Sequence, residues 1–493
     1  MAKKTAYLAI DLGAESGRTI AGLFDGRKLS LQEGHRFPNG PVALPDGLHW
    51  DFLRLFAEIK TGLRAAVAEH GQNLVSLGAD TWGVDFGLLD RQGALLGNPF
   101  HYRDARTDGM MDKAFRLVPR EKMYAETGIQ FMQLNTVFQL FAMAKTKSPQ
   151  LETARALLFS PDLLNYWLTG RQGNERTIAS TSQCLNPVTG KWAAGMLRKL
   201  GIPTGLFGEL VEPGTVLGPL RREVAADTGA EHVLAVAVGS HDTASAVAAV
   251  PAGKGPFAFL SSGTWSLMGM ETPRPVVSAQ TLAYNLTNEG GVCGTTRLLK
   301  NIMGLWIVQQ CRQTWRAAGK EFSYEELAGM AKAAPAFAAF IDPNDPLFFA
   351  PGDMPARIRQ YCAKTGQPAP GDEGGLVRVA LESLALTYAR VLGQLAHVTG
   401  RKPEAVHIVG GGSQNTLLNQ FAANATGVPV VAGPVEATAA GNVLLQMLAQ
   451  GAIRTLAEGR DIVRRSFDTA VFAPRDANAW AEARARFERV AKA

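Results

Sequence analysis

Four short stretches of this 493-residue chain combine residue types that act on phosphate and hydroxyl groups. Near the midpoint, Gly239-Ser240-His241-Asp242-Thr243 follows the apolar run Val233–Val238 and leads into a small-residue segment ending at Pro251. Gly239 allows a tight turn, Ser240 is placed to cap a helix, and Asp242 then falls in the first helical turn. Facing the positive end of the helix dipole, Asp242 is expected to have a low pKa. Close to the N-terminus, Asp11-Leu12-Gly13-Ala14-Glu15-Ser16-Gly17-Arg18 sets two glycines around a turn between strands. Its backbone N–H groups can gather around an anion. Ser16 adds a hydroxyl donor, Arg18 a phosphate partner, and Asp11 an oxygen ligand for Mg2+, directly or through water. A plain hairpin turn is the alternative. Ser261-Ser262-Gly263-Thr264 repeats the pattern with three hydroxyls and no acid, and a matched pair of such hairpins suits a polyphosphate clamped from both sides. Gly410-Gly411-Gly412-Ser413 lies between a strand and a helix start, where bare backbone admits a flat ligand and the helix N-terminus favours negative charge.

Other signals are weaker or absent. The triple-glycine run departs from the dinucleotide fingerprint at Asn415, and no phosphate-loop motif of the G-x-x-x-x-G-K-[ST] type occurs. Asp85-Phe86-Gly87 imitates a protein-kinase motif without its companions and is set aside as a decoy. In Thr81-Trp82-Gly83-Val84-Asp85, the indole either stacks on a sugar face or packs in the core, and Gly83 lets a hydroxylated ligand approach the backbone. His101-Tyr102-Arg103-Asp104 with Arg106 is a dense polar cluster for which a solvated ion-pair network is preferred to a site role, and the tract Lys300–Trp306 can bring polar side chains to the cleft, with Trp306 itself packing. His241 either contacts substrate or supports its turn.

These residues need elements to hold them. Tyr7–Ile10, Thr19–Phe24 and Leu29–Phe37 are expected to form a strand meander, followed by an amphipathic helix over Phe52–Glu69 and strands over Leu74–Asp80 and Val84–Leu89. Helices are expected at Thr136–Lys147 and Pro161–Leu168, while 171–232 shows no readable topology. The second half repeats strand, polar turn, strand over Phe257–Gly269, then helix over Gly304–Arg316 and a capping box at Ser323 and Glu326. Pro343–Gly375 reads as a surface excursion. A long apolar helix over Leu376–Val398 leads to strand Ala405–Val409, helix Asn415–Thr426, strand Val428–Ala432, helix Glu436–Leu448 and a charged helix over Arg475–Lys492. Each half opens with a hairpin and continues with alternating helices and strands. Two α/β domains with a cleft between them are the expected architecture.

Composition narrows the function. Hydrophobic residues make up 46% and charged residues 19%, as in a soluble globular protein, and the net charge of +6 is dispersed in short clusters such as Arg221-Arg222, which gives a nucleic-acid partner little support. Cys184, Cys293, Cys311 and Cys362 stand far apart, which argues against zinc and disulfide scaffolds and for a reducing compartment. Met1-Ala2-Lys3-Lys4 leads straight into a strand, and no apolar run reaches the ~18 residues of a membrane span. A cytoplasmic location without membrane association is expected.

Together, Asp11–Arg18, Asp80–Phe86, Gly239–Val247, Leu260–Gly269, Asn288–Trp306 and Ile408–Asn415 resemble the FGGY carbohydrate kinases of the actin-like ATPase superfamily, over nearly the whole chain from Tyr7 to about Phe472. The Thr-Trp-Gly-Val-Asp, Ser-His-Asp-Thr and Lys-Asn-Ile-Met-Gly-Leu-Trp runs are most similar to the rhamnulokinase branch. The resemblance implies a two-domain ribonuclease H-like fold with an interdomain cleft: a sugar- and phosphate-binding domain over 1–249, a nucleotide-binding domain over 250–474 and a C-terminal helix over 475–493. It implies ATP held by Ala14, Glu15, Ser16, Gly17, Arg18, Thr264, Gln309 and Gly411, and a ketose held by Gly83, His241, Asp242, Thr243 and Asn301. Asp242 would accept the proton from O1 of L-rhamnulose, and Asp11 would be the contact for Mg2+. Glu15 replaces the serine of some relatives, a change of little expected consequence where backbone groups do the cradling. L-Fuculose or another ketose or polyol is the runner-up substrate. An actin-like chaperone or filament ATPase is a distant alternative, and a monomer or homodimer is expected.

Overall fold

The computed structural model describes residues 4–253 and 255–491. Met1–Lys3, taken above as a lead into the first strand, and Lys492, at the end of the expected last helix, lie outside the described residues. The chain divides into two compact units, each assembled from separate segments. Unit 1 takes the chain up to Pro251, then Glu271–Leu298 and Ala437–Ser466; unit 2 takes Ala252–Met270, Leu299–Glu436 and the chain from Phe467 onward.

In unit 1 the expected meander is present as β1 (Thr5–Leu12), β2 (Ser16–Phe24) and β3 (Leu29–Pro38). Helix α1 (Phe52–His70) follows, capped by the Asp51 side chain on the Arg54 amide. It buries Phe52, Leu55, Ile59, Leu63 and Ala66, a stripe at helical spacing. After β4 (Leu74–Thr81) come β5 (Thr215–Pro219), β6 (Leu234–Ala237) and the short helix α2 (Asp242–Ala248). The sheet order is β5-β6-β4-β1-β2-β3, with β6, β4 and β1 parallel. Between β4 and β5 the chain builds a separate apolar core around Phe138, Phe141, Leu157, Phe159 and Leu197, on helices such as Thr136–Lys145 and Ser160–Thr169. Part of the segment without readable topology, 171–232, serves here as short elements including the turn of helix Arg176–Ala179.

Unit 2 opens with the second hairpin, β7 (Phe257–Ser262) and β8 (Trp265–Thr272), followed by β9 (Thr296–Met303) and α3 (Trp306–Ala317). The capping box at Ser323 and Glu326 is present in both directions. The stretch read as a surface excursion is a correction. It contains helix Met354–Lys364, opened by the Asp353 cap and Pro355, and buries Phe348, Ile358, Tyr361 and Cys362. The long helix α4 (Glu373–Thr399), β10 (Ala405–Val409), α5 (Thr416–Thr426) and β11 (Val430–Ala432) follow as expected within a few residues.

The chain next returns to unit 1 as α6 (Ala437–Ala449) and α7 (Leu456–Ser466), then ends in unit 2 with β12 (Ala470–Phe472) and α8 (Ala477–Val490). In unit 2 the strands are neighbours in the order β9-β8-β7-β10-β11-β12. Among the described residues no helix is long and apolar enough to cross a membrane.

Helix α6 is sequence-distant from the first sheet yet completes it. Asn442 Nδ2 donates to Asp80 Oδ2 (2.6 Å) and the Gly78 carbonyl (3.0 Å), and Gln446 Nε2 donates to the Leu8 carbonyl (3.0 Å) while its Oε1 accepts from Ser76 Oγ (2.7 Å). The same helix crosses α2 at Gly441, where an added Cβ would lie 1.7 Å from the Ser245 carbonyl oxygen. Gly441→Ala is therefore expected to push α2 aside and cost about 3 kcal/mol, the top of the usual overpacking range, read as a lowered denaturation midpoint together with reduced turnover.

Candidate active site

Three parallel strands end at one edge of the unit 1 sheet, and the reactive stretches leave from that edge. Asp11 at the end of β1 is in register with Asp80 near the end of β4. Thr81 pairs with His241, and its amide donates to the Ser240 carbonyl (2.9 Å). The carboxyl ends of parallel strands are where open α/β sheets bind ligands. Asp11, the Trp82-Gly83 turn and His241-Asp242 thus share one rim.

Asp242 is the first residue of α2, but Ser240 does not cap that helix. The Ser240 hydroxyl turns back to the Val238 carbonyl (3.4 Å), its amide donates to Glu175 Oε2 (3.2 Å), and the cap position falls to His241. Tertiary bonding has overridden the local capping preference. The expected low pKa is also overturned. Desolvation holds the Asp242 carboxyl above the ordinary carboxylate value; His241 pulls it down and Asp11 adds to the rise. One-third of the side chain (32%) is exposed, and Thr243 Oγ1 donates to Oδ1 (3.0 Å). At the other end of α2, Arg460 donates to the Val247 and Ala248 carbonyls, which anchors the helix.

Two buried carboxylates support this rim. Glu175 is fully buried and accepts from the amides of Thr177, Ile178 and Ser240 and from Thr177 Oγ1, which itself accepts from the His241 amide (3.1 Å). The backbone before Asp242 therefore hangs on Glu175, whose pKa burial pushes up to about 7 against those hydrogen bonds. Asp80, also fully buried, is raised well above the usual carboxylate range by desolvation and by Asp11; its Oδ1 has no hydrogen-bond partner. Asp11 itself pairs with Arg18 (2.5 Å). Among the described residues no cluster of three or more His, Cys, Asp or Glu could hold a metal on its own. One carboxylate beside the first hairpin turn, with a partnerless buried oxygen alongside, suits an ion that keeps most of its ligands from water and phosphate.

The Trp82-Gly83 turn is strained and locked. Val84 has a φ of 71°, rare for a β-branched residue, and the Asp85 amide donates to the Gly83 carbonyl (3.0 Å) across it. The decoy reading of Asp85 captures none of its role here. Its buried carboxylate accepts from Trp50 Nε1 (2.6 Å), Trp82 Nε1 (3.0 Å), Gln139 Nε2 (2.9 Å) and the Tyr102 amide (3.2 Å). Trp82 packs against Trp50 with ring centroids 3.9 Å apart and is 5% exposed, so the structure takes the core alternative for the indole. The His101–Arg106 cluster is likewise buried rather than solvated. His101 and Asp104 are nearly inaccessible, Arg106 lies over the Phe100 ring and donates to Gln139 Oε1 (2.6 Å), and burial holds the His101 imidazole down to about 3. Strain of this kind persists only where surroundings over-determine it.

The first hairpin turns at Gly13, whose amide donates to the Ser16 carbonyl (2.9 Å), so Ala14 and Glu15 form the tip and Ser16–Arg18 begin β2. Gly17 is required by packing, since a Cβ there would strike the Phe37 ring at 2.3 Å. Unit 2 holds a second cluster. Thr264 lies in the β7–β8 turn, and its carbonyl accepts from the Gly304 and Trp306 amides (3.2 Å each), which ties the turn to the start of α3 and hence to Gln309. Trp306 packs, as expected, and its indole donates to the Phe348 carbonyl (3.1 Å). A Cβ on Gly412 would meet Ser262 Oγ at 2.1 Å, so the glycine loop bearing Gly411 lies directly on the same hairpin. Asn301 is on β9, three residues before Gly304.

Sequence reasoning passed over Asp80 as a carboxylate in its own right, Glu175, Arg297 and the Asn442–Gln446 pair. Only the last carries a sequence signal: two amides four residues apart in an otherwise apolar helix.

Two family models match almost the whole chain: the N-terminal domain of the FGGY family of carbohydrate kinases over residues 6–249, and its C-terminal domain over 258–450. The chain belongs to the FGGY family of carbohydrate kinases. This FGGY kinase is 46% identical to a protein named Rhamnulokinase from Bacteroides thetaiotaomicron, over 98% of the chain and 99% of the relative. It is 42% identical to a Rhamnulokinase from Enterococcus faecalis, over 95% and 94%. In fold, the kinase is similar to the solved ligand-bound xylulose kinase of Lactobacillus acidophilus, with a TM-score of 0.81, 16% identity and coverage of 99% and 97%. The fold is thus the two-domain α/β, actin-like fold of the FGGY sugar kinases.

Proposed function

We propose that this sugar kinase transfers the γ-phosphoryl group of ATP to O1 of L-rhamnulose. The observation that carries this reading is the near-complete, 46%-identical match to a relative named Rhamnulokinase. The rim of unit 1 supports it chemically, because phosphoryl transfer needs a positioned hydroxyl and a carboxylate beside it rather than a covalent nucleophile. In this reading Asp242 orients the attacking hydroxyl and takes its proton, and the burial that raises its pKa makes it a better base than an ordinary aspartate. Gly83, His241, Thr243 and Asn301 bind the ketose. Ala14, Glu15, Ser16, Gly17, Arg18, Thr264, Gln309 and Gly411 bind ATP. Mg2+ would be held by Asp11, directly or through water, and when bound it neutralises phosphate charge. The same reading makes the protein a cytoplasmic monomer or homodimer.

A coupled ADP-release assay over a panel of ketoses and polyols tests the substrate. L-Rhamnulose is expected to give the highest kcat/KM; preference for L-fuculose or another sugar overturns the rhamnulose assignment.

A further inference from the structure

His241 is held from behind by a buried arginine. Arg297, on the unit 1 end of β9, is wholly inaccessible to solvent, and its Nη2 lies 3.1 Å from His241 Nδ1. The same Nη2 is 3.3 Å from Glu289 Oε2, and Nε donates to the Gly290 carbonyl (2.8 Å). Glu289 Oε2 is also 3.3 Å from His241 Nδ1. On the far side of the ring, Nε2 is 3.5 Å from Asp242 Oδ1, and a Cβ added at Gly83 would lie 3.4 Å from it. The side of His241 that carries Nε2 therefore faces the two positions read above as sugar contact and proton acceptor.

A guanidinium donates at every nitrogen and accepts at none. With Nη2 at 3.1 Å, Nδ1 must present its lone pair; a proton there would set two hydrogens against each other. Nη2 thus donates to Nδ1, and Glu289, 3.3 Å away but not hydrogen-bonded through Oε2, balances the buried positive charge as an ion pair. A neutral imidazole whose Nδ1 accepts carries its proton on Nε2.

We propose that Arg297 is a positioning residue that fixes His241 as the Nε2–H tautomer, so that the ring offers a hydrogen-bond donor to an oxygen of the sugar and no acceptor for the proton of the attacking hydroxyl. This rests on the reading of His241 and Asp242 as sugar-facing groups. It divides the labour between neighbours: His241 recognises, and Asp242 alone takes the proton.

The test is long-range 1H–15N correlation on the full-length protein labelled with 15N-histidine, without substrate, with His241 assigned by its loss in His241→Gln. A protonated Nε2 with an unprotonated Nδ1 is expected in the wild type, a mixed or Nδ1–H population in Arg297→Met, and recovery in Arg297→Lys, which retains a donor and the charge. In steady-state assays Arg297→Met is expected to raise the sugar KM about tenfold, the scale of one lost hydrogen bond, with the ATP KM unchanged. A wild-type ring protonated on Nδ1, or an unaltered tautomer in folded Arg297→Met, overturns the proposal. Should Arg297→Met fail to fold, the wild-type spectrum decides alone. Because the spectrum needs no sugar, it separates failure of this proposal from a wrong substrate assignment.

Discussion

Asp242→Asn is expected to lower kcat by about a hundred- to ten-thousand-fold, the contribution usual for a positioned general base. The substitution keeps the shape of the side chain and an oxygen for the Thr243 hydroxyl, which now bonds Oδ1 at 3.0 Å. It removes only the capacity to accept a proton. ATP affinity is expected to be unchanged, because the substitution keeps the shape of the side chain and Asp242 is not among the residues read as ATP contacts. Stability is expected to hold or rise, since the folded state raises the pKa of this carboxyl and so disfavours its ionised form at neutral pH. The checks are a coupled ADP assay, an ATP titration and a thermal melt on the same preparation. Wild-type turnover in a correctly folded variant would remove Asp242 from the mechanism.

Asp85→Ala is expected to destabilise the protein by about 3–5 kcal/mol, as loss of one partner from a buried charged network does. Two indole N–H groups, the Gln139 amide and the Tyr102 backbone amide would all lose their acceptor at once. The positive-φ turn at Val84 would lose its lock, so the sugar KM is expected to rise more than the ATP KM. The penalty has a sign with pH. Burial pushes the Asp85 carboxyl up to about 6 in the folded protein, from 3.8, so its stabilising contribution is complete below about pH 4 and declines as pH rises through 6. The wild-type-minus-variant difference is therefore expected to shrink by up to about 3 kcal/mol between pH 4 and pH 7, measured as denaturant midpoints. A difference that grows over that range would show that Asp85 is ionised throughout.

Much of this was legible in the sequence where chemistry is local. The two hairpins, the Asp51 cap of α1, the capping box at Ser323 and the long helix over Glu373–Thr399 each follow from residues within a few positions of one another. What stayed hidden depends on partners far along the chain. Ser240 has the side chain of a cap but surrenders the position because Thr81 and Glu175 claim its backbone. Asp242 stands at a helix start, where a low pKa is the local expectation, yet its surroundings are desolvated and Asp11 lies near enough to oppose ionisation. Asp85 sits in a three-residue motif whose familiar meaning is wrong here; its four donors come from positions 50, 82, 102 and 139. No pattern in the irregular 171–232 stretch announces Glu175.

The return of α6 and α7 to unit 1 has a consequence for how the molecule is made. The family boundary near residue 249 suggests a first half that folds as it leaves the ribosome. Yet the Leu8 and Gly78 carbonyls, Ser76 and Asp80 find their buried partners only when Asn442 and Gln446 arrive, roughly two hundred residues later. At a synthesis rate of ~5–20 residues per second, that is a wait of roughly 10–40 s. Through that interval the sheet that carries Asp11 and Asp80 has one face uncovered, with polar groups exposed that the finished enzyme seals. The rim that carries Asp11 and Asp80 is thus one of the last parts of the protein to be completed, and the nascent kinase is not expected to turn over until almost the whole chain exists.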